Sequence, residues 1–264
     1  MRKRFLREVC GAGLPEQPPD QPLVTAADLV RLPEPAQRYL KFMRVVGRAR
    51  DWSFRVGLSG RFRLGPDRPF LPCRTWQYNT RLGIARIFHI KVRFWGLLPV
   101  VARDSYVGGH GRMLVKAFDR FTLEDAVGPE FDAGELVTYL NDAIFFAPSM
   151  LLGPETTWTS AGDLSFDVAL SDRGNSVSAR VTIDGEGRPT DFSTDDRFVR
   201  DPYRPGHPLI RAHWTTPIRG WEVVGERPVF SAGQAIWQLE QGPFAYADLK
   251  LEPGTLAFNV RPGT

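Results

Sequence analysis

The sequence predicts a mostly-β α+β protein: a large curved antiparallel sheet, a half-open barrel, closed by one main helix and preceded by short N-terminal helices. Three observations predict it. The stretch 132–152, DAGELVTYLNDAIFFAPSMLL, carries apolar residues at Leu136, Tyr139, Leu140, Ala143, Ile144, Ala147 and Leu151, the spacing of a helix that buries one face. Nearly everything around that stretch alternates apolar and polar residues with the period of a strand. The 264-residue length suits one large all-β unit.

The N-terminus, MRKRFLREVC, is basic but lacks the apolar run of about 7–15 residues that a secretory signal needs. No run of about 18 apolar residues follows, so the reading is cytoplasmic. The basic start either touches an anionic membrane surface weakly or is a solvated tail. Residues 11–24, GAGLPEQPPDQPLV, have the composition of a linker. The expected organisation is a flexible arm over 1–24 and a single β-domain over 25–264. Thr25 with Asp28 three residues on marks the start of one short helix, and Pro35 the first position of another.

From Trp52 to Leu64, even positions are apolar (Phe54, Val56, Leu58, Phe62) and odd ones polar (Arg55, Ser59, Arg61, Arg63), a strand with one buried face that bends at Gly57 or Gly60. Further strands are expected at 73–80, 84–95 and 97–107, with a weaker one at 113–123. In the central helix Asp132 and Glu135 have the spacing of a capping box, and Pro148 ends or kinks it. The cleanest hairpin follows: Leu164, Phe166, Val168 and Leu170 run out, SDRGNS turns, and Val177, Ala179, Val181 and Ile183 return. Residues 200–208, RDPYRPGHP, read as an exposed crossing loop, after which strands at 210–224, 229–239, 244–251 and 256–260 complete the sheet.

Charge is uneven along the chain. Residues 1–103 hold 20 Lys/Arg against 7 Asp/Glu, residues 104–196 hold 6 against 17, and the rest 8 against 6, giving +13, −11 and +2 for a net +4. A basic third can attract phosphates, but two halves of one sheet can also neutralise each other, and no nucleic-acid partner is expected. The two cysteines, Cys10 and Cys73, form neither a disulfide framework nor a zinc set.

The chain offers little recognisable chemistry. The four histidines, His89, His110, His207 and His213, lack metal spacing; GLSG at 57–60 is not a nucleophile elbow; GGHGR at 108–112 has no phosphate-binding lysine. Neither metal nor cofactor is expected. His110, flanked by glycines, is the best general base, with Asp104 or Asp142 as its acidic partner in a hydrolase-type alternative. Asp142, at the edge of the helix's apolar face, either enters the cleft beside an arginine such as Arg197 or faces water. The aromatic residues about the helix either line a cleft or fill a core. In the first case Trp76, Tyr139, Phe146 and Trp158 line it, Asp142 and Arg197 supply a polar contact, and the chain binds an apolar or amphiphilic small molecule without catalysis.

The pieces LPEPAQRYLKF at 32–42, DSYVGGHGRMLVK at 104–116, GPEFDAGELVTYLNDAIFFAPSMLL at 128–152, and SFDVAL at 165–170 with VSARVTIDGEGRPTDFSTDDR at 177–197 resemble an uncharacterised bacterial family, a domain of unknown function. That family in turn looks like the LolA/LolB lipoprotein-carrier fold, a half-open barrel closed by a helix. The resemblance implies acyl-chain binding in the concave face, with family positions matching Asp104, Asp142 and Arg197. Thr138 stands where the family often has arginine.

Overall fold

Fifteen strands join one antiparallel sheet in the computed structural model of the chain, which describes residues 1–18, 20, 22–94 and 98–264. Helix α1 (Arg2–Gly11) and two short helices, α2 (Ala26–Val30) and α3 (Glu34–Phe42), precede a meander of six strands. These are β1 (Ser53–Phe62), β2 (Leu71–Thr80), β3 (Ala85–Phe94), β4 (Leu98–Val107), β5 (His110–Ala117) and β6 (Phe121–Val127). Helix α4 (Pro129–Phe146) and a 3-10 turn (Pro148–Leu151) then lead to β7 (Thr156–Gly162), β8 (Ser165–Asp172), β9 (Asn175–Ile183) and β10 (Pro189–Thr194). The hairpin β11 (Phe198–Arg200) and β12 (Leu209–Arg211) stands apart as a second sheet. The chain ends with β13 (His213–Thr215), β14 (Ile218–Val224), β15 (Arg227–Leu239), β16 (Gly242–Leu251) and β17 (Ala257–Phe258).

Along the main sheet the order is β6-β5-β4-β3-β2-β1-β16-β15-β13-β10-β9-β8-β7, with β14 added beside β15 and β17 beside β1. The sheet is therefore open, and its two outermost strands, β6 and β7, are the ones α4 connects. The predicted bend in β1 coincides with a change of partner: Phe54 and Arg55 pair with β17, and Leu58–Phe62 with β16. Gly60 permits that approach, because a Cβ there would lie 2.0 Å from the Asp248 carbonyl oxygen. The β8–β9 turn is Arg173–Gly174, both at positive φ (48° and 89°), the two-residue geometry that suits the twist of a hairpin.

Four expectations are corrected. First, α4 begins at Pro129, three residues before Asp132, because proline is at home in a first helical turn. Asp132 instead accepts a hydrogen bond from the Gly111 N–H (2.6 Å), and Glu135 is buried in an ion pair. Second, every residue of α4 from Gly134 to Phe146 is buried, so the helix runs through the interior rather than lying on it with one face wet.

Third, the N-terminal ten residues are not a flexible arm. Phe5 and Val9, one helical turn apart, are fully buried against Tyr78 and Ile87 on the convex side of the sheet. Glu8 meets His89 Nε2 at 2.9 Å, and Arg4 pairs with Asp119. The many charges hid this two-residue apolar stripe. Fourth, the proline-rich segment 200–208 is irregular and largely exposed as expected, but it does not cross: β11 and β12 bracket it, and their pairing (Val199 with Ile210) closes it into a hairpin. The expected strand ends at Trp95 and Leu97 lie outside the described residues.

The charge asymmetry resolves inside the fold: Arg86 meets Glu135 and Asp142, and Arg4 and Arg103 meet Asp119. No helix among the described residues is long and apolar enough to cross a membrane.

Candidate functional site

Strand register arranges the concave side of β1–β5 into cross-strand rows. One row is Leu58, Thr75, Ile90, Ala102 and Val115; the next toward α4 is Val56, Gln77, Phe88, Asp104 and Met113; the row after that holds Asn79, Arg86 and Tyr106. Away from α4 the row is Cys73, Val92 and Val100. The concave wall thus grades from aliphatic to polar as it passes under the helix. Over it, α4 and the β11–β12 hairpin leave a cavity of about 450 Å³, lined on the sheet side by residues such as Leu58, Phe88, Ile90, Ala102 and Val115 and on the helix side by Asp142, Phe145 and Phe146. At its outer edge Leu64 is 62% exposed, and Arg200 Nε donates to Glu124 Oε1 (2.8 Å).

The polar end is built around Arg86, a charged residue in phase with Phe88, Ile90 and Val92. Its Nε donates to Asp142 Oδ2 (2.7 Å) and its Nη1 to Glu135 Oε2 (2.8 Å), while its guanidinium lies 4.7 Å from the Phe88 ring centroid. Removal from water disfavours the charged form of each acid. It pushes the Glu135 carboxyl up to about 7, with the charge of Asp104 adding to the push and Arg86 opposing it. The same effect raises Asp104 and Asp142, against the pull of Arg86 on both.

Beside this cluster, Arg197 is held by aromatics. Its guanidinium lies 4.3 Å from the Trp214 ring and 5.4 Å from that of Trp237, a cation–π arrangement, and its Nη1 donates to Tyr246 Oη (3.2 Å). Trp214 Nε1 donates to the same hydroxyl (3.1 Å). Asn141, also on the cavity wall, accepts from Thr216 Oγ1 (2.7 Å).

Residues 22–249 match the sequence profile of a family described as a family of unknown function, DUF6544. The chain belongs to the DUF6544 family. The matched span of this DUF6544 protein takes in every residue that lines the cavity and leaves α1 and β17 outside. A LolA superfamily protein from Nitrosomonas europaea, of known crystal structure, is similar to it: 13% identity, covering 87% of this chain and 94% of that one, with a TM-score of 0.39. No curated protein sequence matches the chain.

Of the six residues the sequence singled out for this DUF6544 site, the structure brings Asp142, Phe146 and Arg197 to the cavity. The other three pack elsewhere. Trp76 alternates with Gln77, so it points to the convex side, where it lies 6.3 Å from Phe5 and under the Arg2 guanidinium. Tyr139 lies on the flank of α4, beside a separate 260 Å³ pocket with Arg50 and Arg81. Trp158 packs at a tilt against Phe166, ring centroids 5.4 Å apart, and against Tyr39.

The acid–base alternative is not assembled. The His110 side chain is 86% exposed, and the carboxylate near it is Asp132, at 4.0 Å; Asp104 and Asp142 face the cavity without it. Sequence reasoning missed Arg86, Glu135 and Gln77. The signal for Arg86 was available, since it shares a phase with three apolar residues of β3.

Proposed function

We propose that this chain binds an apolar or amphiphilic small molecule in the space between the sheet and α4. The observation that carries the reading is the amphipathic 450 Å³ cavity, of the size that takes small ligands, with aliphatic walls at one end and a hydrogen-bonding cluster at the other. Each methylene of a chain buried there contributes about 0.8 kcal/mol, and the polar end fixes which way round the chain lies. Arg86 holds Glu135 and Asp142 in ion pairs, which suits a fixed binding wall. We also propose a cytoplasmic location, for which the two free thiols, Cys10 and Cys73, are a modest support.

Native mass spectrometry of protein purified without detergent, followed by solvent extraction, is expected to show a co-purifying long-chain compound. A fluorescent long-chain probe is expected to bind at micromolar concentration, and Ala102→Phe, which fills the aliphatic wall, to weaken that binding. A clean mass together with no probe uptake overturns the reading.

A further inference from the structure

Asn79, in the row nearest α4 and off the cavity wall, has an unpartnered side chain, and on the wall itself two residues carry a buried polar atom without a hydrogen-bond partner among the described residues. Gln77 is 1% exposed, lines the cavity, and its Nε2 is unpartnered. Asp104 lines the same wall, and its Oδ1 is likewise shut off from solvent and unpartnered. Buried polar groups are rarely left in this condition, so each such atom calls for an account. The neighbouring Arg86 does not provide one: its Nε and Nη1 donate to Asp142 and Glu135, and none of its hydrogen bonds reaches Asp104 Oδ1.

The two atoms sit in one cross-strand row, Gln77–Phe88–Asp104. With adjacent strands ~4.8 Å apart, their Cα atoms are about 10 Å apart, with the Phe88 side chain between them on the same face, so a group seated against the Phe88 ring has one of the two on either side. Gln77 offers a donor and the Asp104 carboxylate an acceptor, so a complementary group must accept from one and donate to the other. A carboxylate head only accepts, and would join three carboxyls (Asp104, Glu135, Asp142) facing two guanidiniums (Arg86, Arg197). An ammonium head only donates, and leaves Gln77 unanswered. A hydroxyl does both, and also fits either orientation of the Gln77 amide or either protonation state of Asp104.

We propose that the cavity selects a long-chain amphiphile with an uncharged head group that both donates and accepts a hydrogen bond, a hydroxyl in the simplest case, seated head-inward against Phe88 with Gln77 on one side and Asp104 on the other. The proposal rests on the binding reading above and sharpens it.

The test uses three probes of equal chain length, 1-dodecanol, dodecanoate and dodecylammonium, titrated at pH 8 into the full chain and read by displacement of a bound fluorescent long-chain probe. The alcohol is expected to bind about tenfold more tightly than either ion, the ratio of one well-made hydrogen bond to a charged group. Asp104→Leu is expected to erase its lead over dodecanoate. Gln77→Leu is expected to weaken dodecanol about tenfold and leave dodecylammonium within about twofold. Binding of all three with dodecanoate equal or tightest overturns the head-group assignment while the binding reading stands; failure of the fluorescent probe and all three chains to bind overturns both. Should either variant fail to fold, the ranking on the unaltered chain decides.

Discussion

The two halves of the sheet are written in the same residue alphabet and end differently. In β8–β10, the inward residues Phe166, Val168, Leu170, Val177, Val181 and Phe192 are each at most 2% exposed and belong to the same continuous core as Leu136 and Leu140 of α4. In β1–β5, the inward aliphatics Ile90, Val92, Val100, Ala102 and Val115 meet a void. The difference lies in what covers them. Helix α4 packs on both halves, on β8 and β9 on one side and on β4 and β5 on the other; the second half has α3 as further cover over β7 and β8, whereas the first has the small β11–β12 hairpin. Alternation in a strand says which residues turn away from water, and the covering element decides whether they meet a partner or a ligand.

Breaking the polar end should have the largest effect. Arg86→Leu strands Glu135 and Asp142 as buried acids without a counter-charge, and chemical denaturation should show a loss of about 3–5 kcal/mol. Next comes a matched pair that tests the comparison itself. Leu140→Ala, inside the filled core, should fall near the top of the roughly 2–5 kcal/mol range for buried leucine truncation, and Leu58→Ala, which borders the cavity, near its bottom. Equal losses would show the first half to be as tightly filled as the second.

A subtler effect is carried by pH. Glu135 is held near 7 in the folded chain against an ordinary 4.5, so between those values the folded state binds more protons than the unfolded one. The contribution of this site to stability is therefore complete below about pH 4.5 and is lost as pH rises to about 7. The stability of Glu135→Gln relative to the unaltered chain should climb across that window and level off above it. Asp191, also raised, to about 6, titrates in both proteins and cancels in the difference. Smallest of all, His110→Ala should stay within about 0.5 kcal/mol and leave probe binding unchanged, as for an exposed side chain away from the cavity.

Much of this fold was legible because its two periods are clean. The 3.6-residue stripe around Leu140 and the two-residue alternation from Phe54 to Leu58 each required only one rule. The site was half legible. Asp142 follows from its place at the edge of the helix's apolar face, but its expected partner Arg197 sits against Trp214 and Trp237 while Arg86 takes the carboxylate; Phe146 and Trp76 are both chosen for being aromatic, and only Phe146 faces the cavity, since Gln77 takes the concave side beside Trp76. Size was a poorer guide than phase there. Arg86 escapes for another reason: a single charge in a strand carries no motif, and only its phase with Phe88, Ile90 and Val92 marks it as inward, where two carboxylates take the place of water. The β11–β12 hairpin and α1 escaped because their signals, two-residue stripes among prolines or charges, are shorter than either period can reveal.

The strands at the two ends of the sheet order, β6 and β7, are neighbours in sequence, separated by little more than α4. The arch of the sheet is thus tied across its open side by a chord. That chord is an 18-residue helix, about 27 Å long at the rise of an α-helix, and it is covalently continuous with both rims. The helix and the 3-10 turn that returns the chain to β7 limit how far the two rims can part, whatever contacts loosen. One turn of helix added or removed would be a change of gauge.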